Sequence, residues 1–225
     1  MAYGFESKND NGYIQISDSV ANYYMLYSGT VLVPPKSPLS TTINRGTVVT
    51  ITHPISFDAI CLATEDGLVI PRAIFSQSVT STTITSNELS TQTTVKYWLF
   101  KKYTSLSPST SGYGIEIYNS TGGVAFTSNY PKLMRSYSTL PITTLSTIQN
   151  YSLPTNRRFA FLLYGSVYTA DVAPTKAAPY VKMFPVIRTY SGGVSVQSSS
   201  IRGDRLSSGT PVYEGGLIAI DVTNY

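Results

Sequence analysis

Apolar and polar residues alternate over short stretches of this chain, and turn residues interrupt them about every ten positions, the spacing of antiparallel sandwiches and barrels. Along Val95–Phe100, Val95, Tyr97 and Leu99 fall on one face and Lys96, Trp98 and Phe100 on the other. That period predicts a strand, and apolar side chains on both faces predict that two layers, or a layer and a partner, cover it. Thr47–Thr52 is a β-branched run broken by His53-Pro54, and Phe57–Ala63 resumes as a strand that ends at the turn Glu65-Asp66-Gly67. Ala21–Val33 runs up to Pro34-Pro35, so Pro34–Pro38 is expected to be a crossing loop. Leu68–Arg72 and Ala73–Val79 read as a short strand pair, and Thr80–Thr94 as a loop with an edge strand. Later strands are expected at Arg158–Tyr164, Ser166–Val172, Val181–Thr189, Val194–Ser198 and Leu217–Thr223, with Pro185 marking an edge or bulge. No helix longer than a turn or two is expected.

One pattern occurs twice. Tyr3-Gly4-Phe5-Glu6 through Gly12 returns at Tyr113-Gly114-Ile115-Glu116 through Gly122 without a gap, at a constant offset of 110 (Tyr3 to Tyr113). Tyr, Gly, Glu, Asn and Gly coincide, and Ile14 and Ile16 fall opposite Val124 and Phe126. Each copy reads as a hairpin turned at Asn9–Gly12 or Asn119–Gly122, because Asn and Gly tolerate the positive φ such turns require. A period this long predicts domain duplication. The expected architecture is all-β: two tandem antiparallel β-sandwich domains, 1–103 and 113–225, joined by the small polar linker 104–112.

Composition strengthens the all-β expectation. Charged residues make up 12% of the 225, about half the usual share, while hydrophobic residues make up 42%. Few Glu and Lys leave little helix surface, and abundant Thr, Val, Ile and Tyr favour strands. The net charge of +4 is scattered, with Lys101-Lys102 and Arg157-Arg158 the only adjacent basic pairs, which argues against nucleic acid. Cys61 stands alone in an apolar run, so no intrachain disulfide forms and a buried hydrophobic role is expected. Met1–Glu6 has neither a basic nor an apolar signal segment, and no apolar run reaches bilayer length; neither secretion nor membrane insertion is expected.

Catalytic and cofactor chemistry finds little support. His53 is the sole histidine and Cys61 the sole cysteine, so a zinc site of common type lacks ligands and no cofactor is expected. A Ser-His-Asp triad would need His53, and no serine lies in Gly-x-Ser-x-Gly. Paired glycosidase carboxylates would be drawn from Asp58, Glu65, Asp66, Glu116, Asp171 and Glu214. Arg202-Gly203-Asp204 matches an adhesive tripeptide but is first of all turn chemistry. The positive signal is the 18 tyrosines, which provide broad amphipathic contact with little entropy to lose. Tyr23, Tyr24, Tyr27, Tyr130, Tyr137 and Tyr151 are the candidate interface residues, and Asn9, Gly12, Asn119 and Gly122 the structural turn residues.

The opening Met1-Ala2-Tyr3-Gly4-Phe5-Glu6, with Asn9 and Gly12, resembles the start of small β-rich proteins encoded in the tail gene modules of long-tailed bacteriophages. Those proteins commonly open with Met-Ala-Tyr-Gly, an apolar–polar alternation, Asn and a Gly turn. The resemblance covers the hairpin of each half, and here the unit appears twice in one chain. It implies a non-enzymatic virion component, made in the host cytoplasm, of the tail tip, baseplate or fibre attachment region. Its partners would be other phage tail proteins and further copies of itself in a homo-oligomer. The alternatives are a module that binds host surface glycan, a capsid decoration protein, and a polysaccharide-degrading tail enzyme.

Overall fold

The computed structural model describes residues 6–8, 12, 14–17, 22–35, 48–67, 69, 79–86, 91–102, 113–128, 132–144, 147–171, 180–203 and 212–225. Every regular element among them is a β-strand, and every pairing is antiparallel. In chain order the strands are β1 (Glu6–Lys8), β2 (Ile14–Ser17), β3 (Tyr23–Val33), β4 (Val48–Thr52), β5 (Ala59–Ala63), β6 (Ser81–Thr85), β7 (Thr93–Lys102) and β8 (Glu116–Tyr118). They continue with β9 (Val124–Thr127), β10 (Ser136–Pro141), β11 (Gln149–Ser152), β12 (Phe159–Asp171), β13 (Tyr180–Tyr190), β14 (Gly193–Gly203) and β15 (Val212–Asp221).

The larger strands form a sandwich-like pair of layers. In one layer the order is β3–β7–β5 from the first half of the chain, then β12–β15–β10 from the second. β5 and β12 meet at a single pair, Leu62 opposite Phe161. In the facing layer β4 pairs β6, and β11–β14–β13 form the other part. Val69 joins the two parts, bridging Ser86 just past β6 and Ile187 in β13. Its N–H donates to the Ile187 carbonyl at 3.1 Å, and the Ile187 N–H returns the bond at 2.8 Å. Each half therefore places strands in both layers, and the halves meet along the middle of each. The expected linker 104–112 lies outside the described residues; β7 before it and β10 to β15 after it share these layers, while β8 and β9 pair only with each other.

The alternation along the strands explains the packing. Ile60 and Leu62 of β5, Val95, Tyr97 and Leu99 of β7, and Phe161 of β12 point between the layers, where they join Ile51, Ile84, Ile187, Val194 and Val196. The opposite faces of the same strands carry Ala59, Cys61, Ala63, Trp98, Phe100, Ala160 and Leu162, which form a second buried cluster with Ile220 and Val222. β5 is thus buried on both faces, as a continuous apolar run requires. Each fully buried large side chain contributes about 1.5–3 kcal/mol, so the core shared by the halves outweighs any single polar contact. Cys61 is fully buried, and that burial raises its thiol pKa well above the ordinary value.

Two strands change layers. Phe159–Tyr168 of β12 pair with β15, and Thr169–Asp171 pair with β13 of the facing layer; Gly165, with φ of 69°, lies just before the transfer. The expected break between Tyr164 and Ser166 is this bend inside one strand. At the end of β5, whose Ala63 still pairs with Lys96, the chain also crosses over, and the Thr64 carbonyl accepts the Thr189 N–H at 2.6 Å and its hydroxyl at 2.8 Å. Pro185, expected at an edge or bulge, sits inside β13 opposite Ser198. On the other side of β13 the described pairing passes from Met183 to Ile187, so Pro185 falls where no N–H is called on.

Candidate functional site

The repeated sequence folds into repeated hairpins. In the first, Glu6 pairs with Ser17, Ser7 with Ile16 and Lys8 with Ile14. In the second, Glu116 pairs with Thr127, Ile117 with Phe126 and Tyr118 with Val124. Every partner is shifted by the same offset of 110 (Glu6 to Glu116), including the bulge before Lys8 and before Tyr118. Gly12 and Gly122 hold φ of 79° and 82°, a region that costs a side-chain-bearing residue about 1–2 kcal/mol. Asn119 organises the second turn: its Oδ1 accepts the Thr121 N–H at 3.0 Å, the Thr121 hydroxyl at 2.8 Å and the Gly123 N–H at 2.8 Å. Asn9 lies outside the described residues. The matching glutamates take matching partners two residues on: Glu6 pairs with Lys8 at 2.7 Å, and Glu116 accepts the Tyr118 hydroxyl at 2.5 Å.

The second hairpin is anchored on one strand and open on the other. In β9, Val124, Ala125 and Thr127 are buried, and the Ala125 carbonyl accepts the Asn22 amide at 2.7 Å. Around β8, Tyr113 is 105% exposed, Ile115 66% and Tyr118 47%. Just past this hairpin, residues 132–134 lie beside β3: the Met25 N–H donates to the Lys132 carbonyl and the Met134 N–H to the Tyr23 carbonyl, each at 2.7 Å.

The six tyrosines singled out in the sequence have different fates. Tyr27 is 48% exposed, lying 5.7 Å from the His53 ring and 6.1 Å from Tyr97. Tyr23 is half-buried against the outer cluster, and burial raises its pKa. Tyr24 is partly buried at the bridge to Leu133. Tyr137 packs 5.0 Å from Phe159 with the Arg157 guanidinium 5.5 Å over its ring. Tyr151 packs on the core and donates to the Pro141 carbonyl. Tyr130 lies outside the described residues. Tyr113, Ile115, Tyr118 and Tyr190, more exposed than most of these, are not among the six; the first three belong to the second repeat hairpin, which the sequence marks as a contact surface.

A second feature arises where β5 parts from β12. The fork opens a cleft of about 610 Å³ whose lining draws on both halves, including Ala63, Lys96, Trp98, Arg158, Tyr190 and Tyr225. Trp98 is 9% exposed, and its indole Nε1 is buried without a hydrogen-bond partner among the described residues, as is the Tyr225 hydroxyl. Tyr225 packs edge-on to Phe100 at 6.3 Å, and burial pushes its pKa up to about 12. Arg157 is held by Asp221 at 3.0 Å, whereas Arg158 and Lys96 make no ion pair among the described residues. Tyr190 is 43% exposed at the rim. Gly193 permits that position, since a Cβ there would stand 2.5 Å from the Tyr190 hydroxyl.

Of the described candidate acids, Asp58, Asp66 and Glu116 are held by hydrogen bonds, whereas Glu65 is exposed at the cleft. Asp58 is 5% exposed and accepts the Lys102 N–H at 2.7 Å. Burial works against the Asp66 carboxylate, but hydrogen bonds from Thr94 and Thr64 outweigh it and hold its pKa below the ordinary value. The side chains of Asp171 and Glu214, and Asp204 of the Arg-Gly-Asp triplet, lie outside the described residues. His53 Nδ1 accepts the Ile55 N–H at 3.2 Å. Among the described residues no cluster of His, Cys, Asp and Glu suits a metal, and no helix is long and apolar enough to cross a membrane. No protein-family model, curated protein or solved structure matches the chain.

Proposed function

We propose that this protein is a non-enzymatic structural component of a bacteriophage virion, placed at the tail tip, baseplate or fibre attachment region. The observation that carries the reading is the hairpin pair. Two copies of one turn, alike in register and bulge, stand beside each other through β2 and β9, and the second holds Tyr113, Ile115 and Tyr118 open to solvent. Rigid aromatic and aliphatic side chains on a fixed turn supply contact area at low entropic cost, which suits packing against a neighbouring protein. The opening sequence, which resembles the start of small β-rich phage tail-module proteins, supplies the setting. In this reading the halves descend from one duplicated unit, each keeping its hairpin as a contact arm, and the partners are other tail proteins and further copies of the chain.

One observation favours a second reading, contact with host surface glycan: the cleft that brings Trp98 and Tyr190 beside Arg158 and Lys96. Immunogold electron microscopy of intact virions tests the first reading. Gold at the far end of the tail is the expected result. Gold on the head would make this a capsid decoration protein, and its absence from the particles and from their mass spectrum would overturn the virion assignment.

A further inference from the structure

We infer that the cleft in the fork between β5 and β12 binds an anionic saccharide. The inference rests on the host-contact reading and gives it a location and a ligand chemistry. The cleft is built by topology. β5 pairs with β12 only at Leu62 and Phe161, and past Ala63 the chain crosses to Thr189 of β13, so the two strands diverge and leave a concave space at the fork, with Trp98 and Tyr225 of the outer cluster in its lining. Gly192 and Gly193 line it, and the space a Gly193 side chain would take is filled by the Tyr190 ring, which the missing Cβ admits to the rim.

The lining divides the recognition into three tasks. Tyr190, 43% exposed at the rim, offers a ring face for the C–H surface of a pyranose. Trp98 and Tyr225 add aromatic surface to the lining, their indole N–H and hydroxyl lying buried beneath it with no partner among the described residues. On the wall, Arg158 and Lys96 are exposed cations without an ion pair among the described residues, whereas Arg157 is engaged by Asp221. Glu65 is the one acidic side chain in the lining, against the two cations Arg158 and Lys96. The planar guanidinium of Arg158 suits two oxygens of a carboxylate or phosphate. A neutral sugar would leave both cations unused.

The intact chain provides its own probe, because Trp98 is its 1 tryptophan and lines the cleft. Full-length protein is titrated with tetragalacturonate, with a glycerol-phosphate oligomer and with neutral maltotetraose, following Trp98 emission and heat in parallel so that a silent indole does not conceal binding. Saturable binding of tetragalacturonate alone assigns the charge to a uronate carboxylate, and of the phosphate oligomer alone to a phosphodiester. Either supports the site. Arg158→Ala weakens that binding by about tenfold or more, the scale of a lost charge-assisted pair, with an unchanged circular dichroism spectrum. Tyr113→Ser, on the distant hairpin, leaves it unaltered. No saturable binding of either anionic probe up to about 10 mM, the weakest range of specific recognition, overturns the inference. So does an equal response to maltotetraose, or binding that Arg158→Ala does not change. A negative titration with gold still at the tail end removes the saccharide site and leaves the packing role standing.

Discussion

Phe161→Ala tests whether the halves of this chain stand or fall together. Phe161 belongs to the second half, is 1% exposed, and faces Leu62 of the first half at the sole β5–β12 pair. Truncating a buried Phe to Ala removes the ring's transfer free energy and leaves a cavity, at a cost of about 3–5 kcal/mol. With a urea m-value of about 3 kcal/mol/M, at the upper end for small domains, a loss of about 4 kcal/mol lowers the midpoint by about 1.3 M. The assay is urea unfolding followed by Trp98 emission and by far-ultraviolet circular dichroism. Trp98 lies in the first half but packs in one buried cluster with Ala160, Leu162 and Ile220 of the second. The expected result is one transition by both probes, shifted together in the variant. If the Trp98 transition keeps its wild-type midpoint while part of the dichroism signal moves, the halves unfold independently and the shared core does not couple them.

Three further outcomes are expected. Asp58→Ala removes the carboxylate that accepts the Lys102 N–H, and leaving that donor unpaired should cost about 1–3 kcal/mol in the same unfolding assay; a change under half of that would mean water replaces the acceptor. Burial raises the Tyr225 pKa from 10.0 to about 12, so its contribution is fully present below pH 10 and is lost as pH rises towards 12, where the unfolded chain ionises first. Tyr225→Phe should flatten that alkaline decline in stability, and an unchanged slope would refute the burial argument. Gly122→Ala meets no atom within 4 Å, so its penalty is backbone strain alone, about 1–2 kcal/mol confined to the hairpin, and Gly122→Asn should cost less. Hydrogen exchange at the Gly123 and Asn119 amides, which close that turn, is the readout, and equal protection in Ala and Asn variants would contradict it.

The class of this protein was legible in its sequence because strand alternation and turn chemistry are local. Val95–Phe100 displays both of its faces in six letters, and the structure puts Val95, Tyr97 and Leu99 in one cluster and Trp98 and Phe100 in the other. The hairpins were legible for the same reason: Asn119 and Gly122 specify their turn through their own dihedral preferences and hydrogen bonds, whatever lies around them. Tertiary structure decided what local pattern does not encode. The partner of β5 is a strand from the other half, and the pairing of Leu62 with Phe161 depends on which edge of each half remains unpaired in space. The cleft follows from that pairing, since Lys96, Trp98, Arg158 and Tyr190 become neighbours only where β5 and β12 diverge. The same limit applied to the tyrosines. Tyr151 and Tyr113 carry identical side chains; one, in β11, packs against the core and the other, ahead of β8, stands fully in solvent, and only their places in the fold separate them.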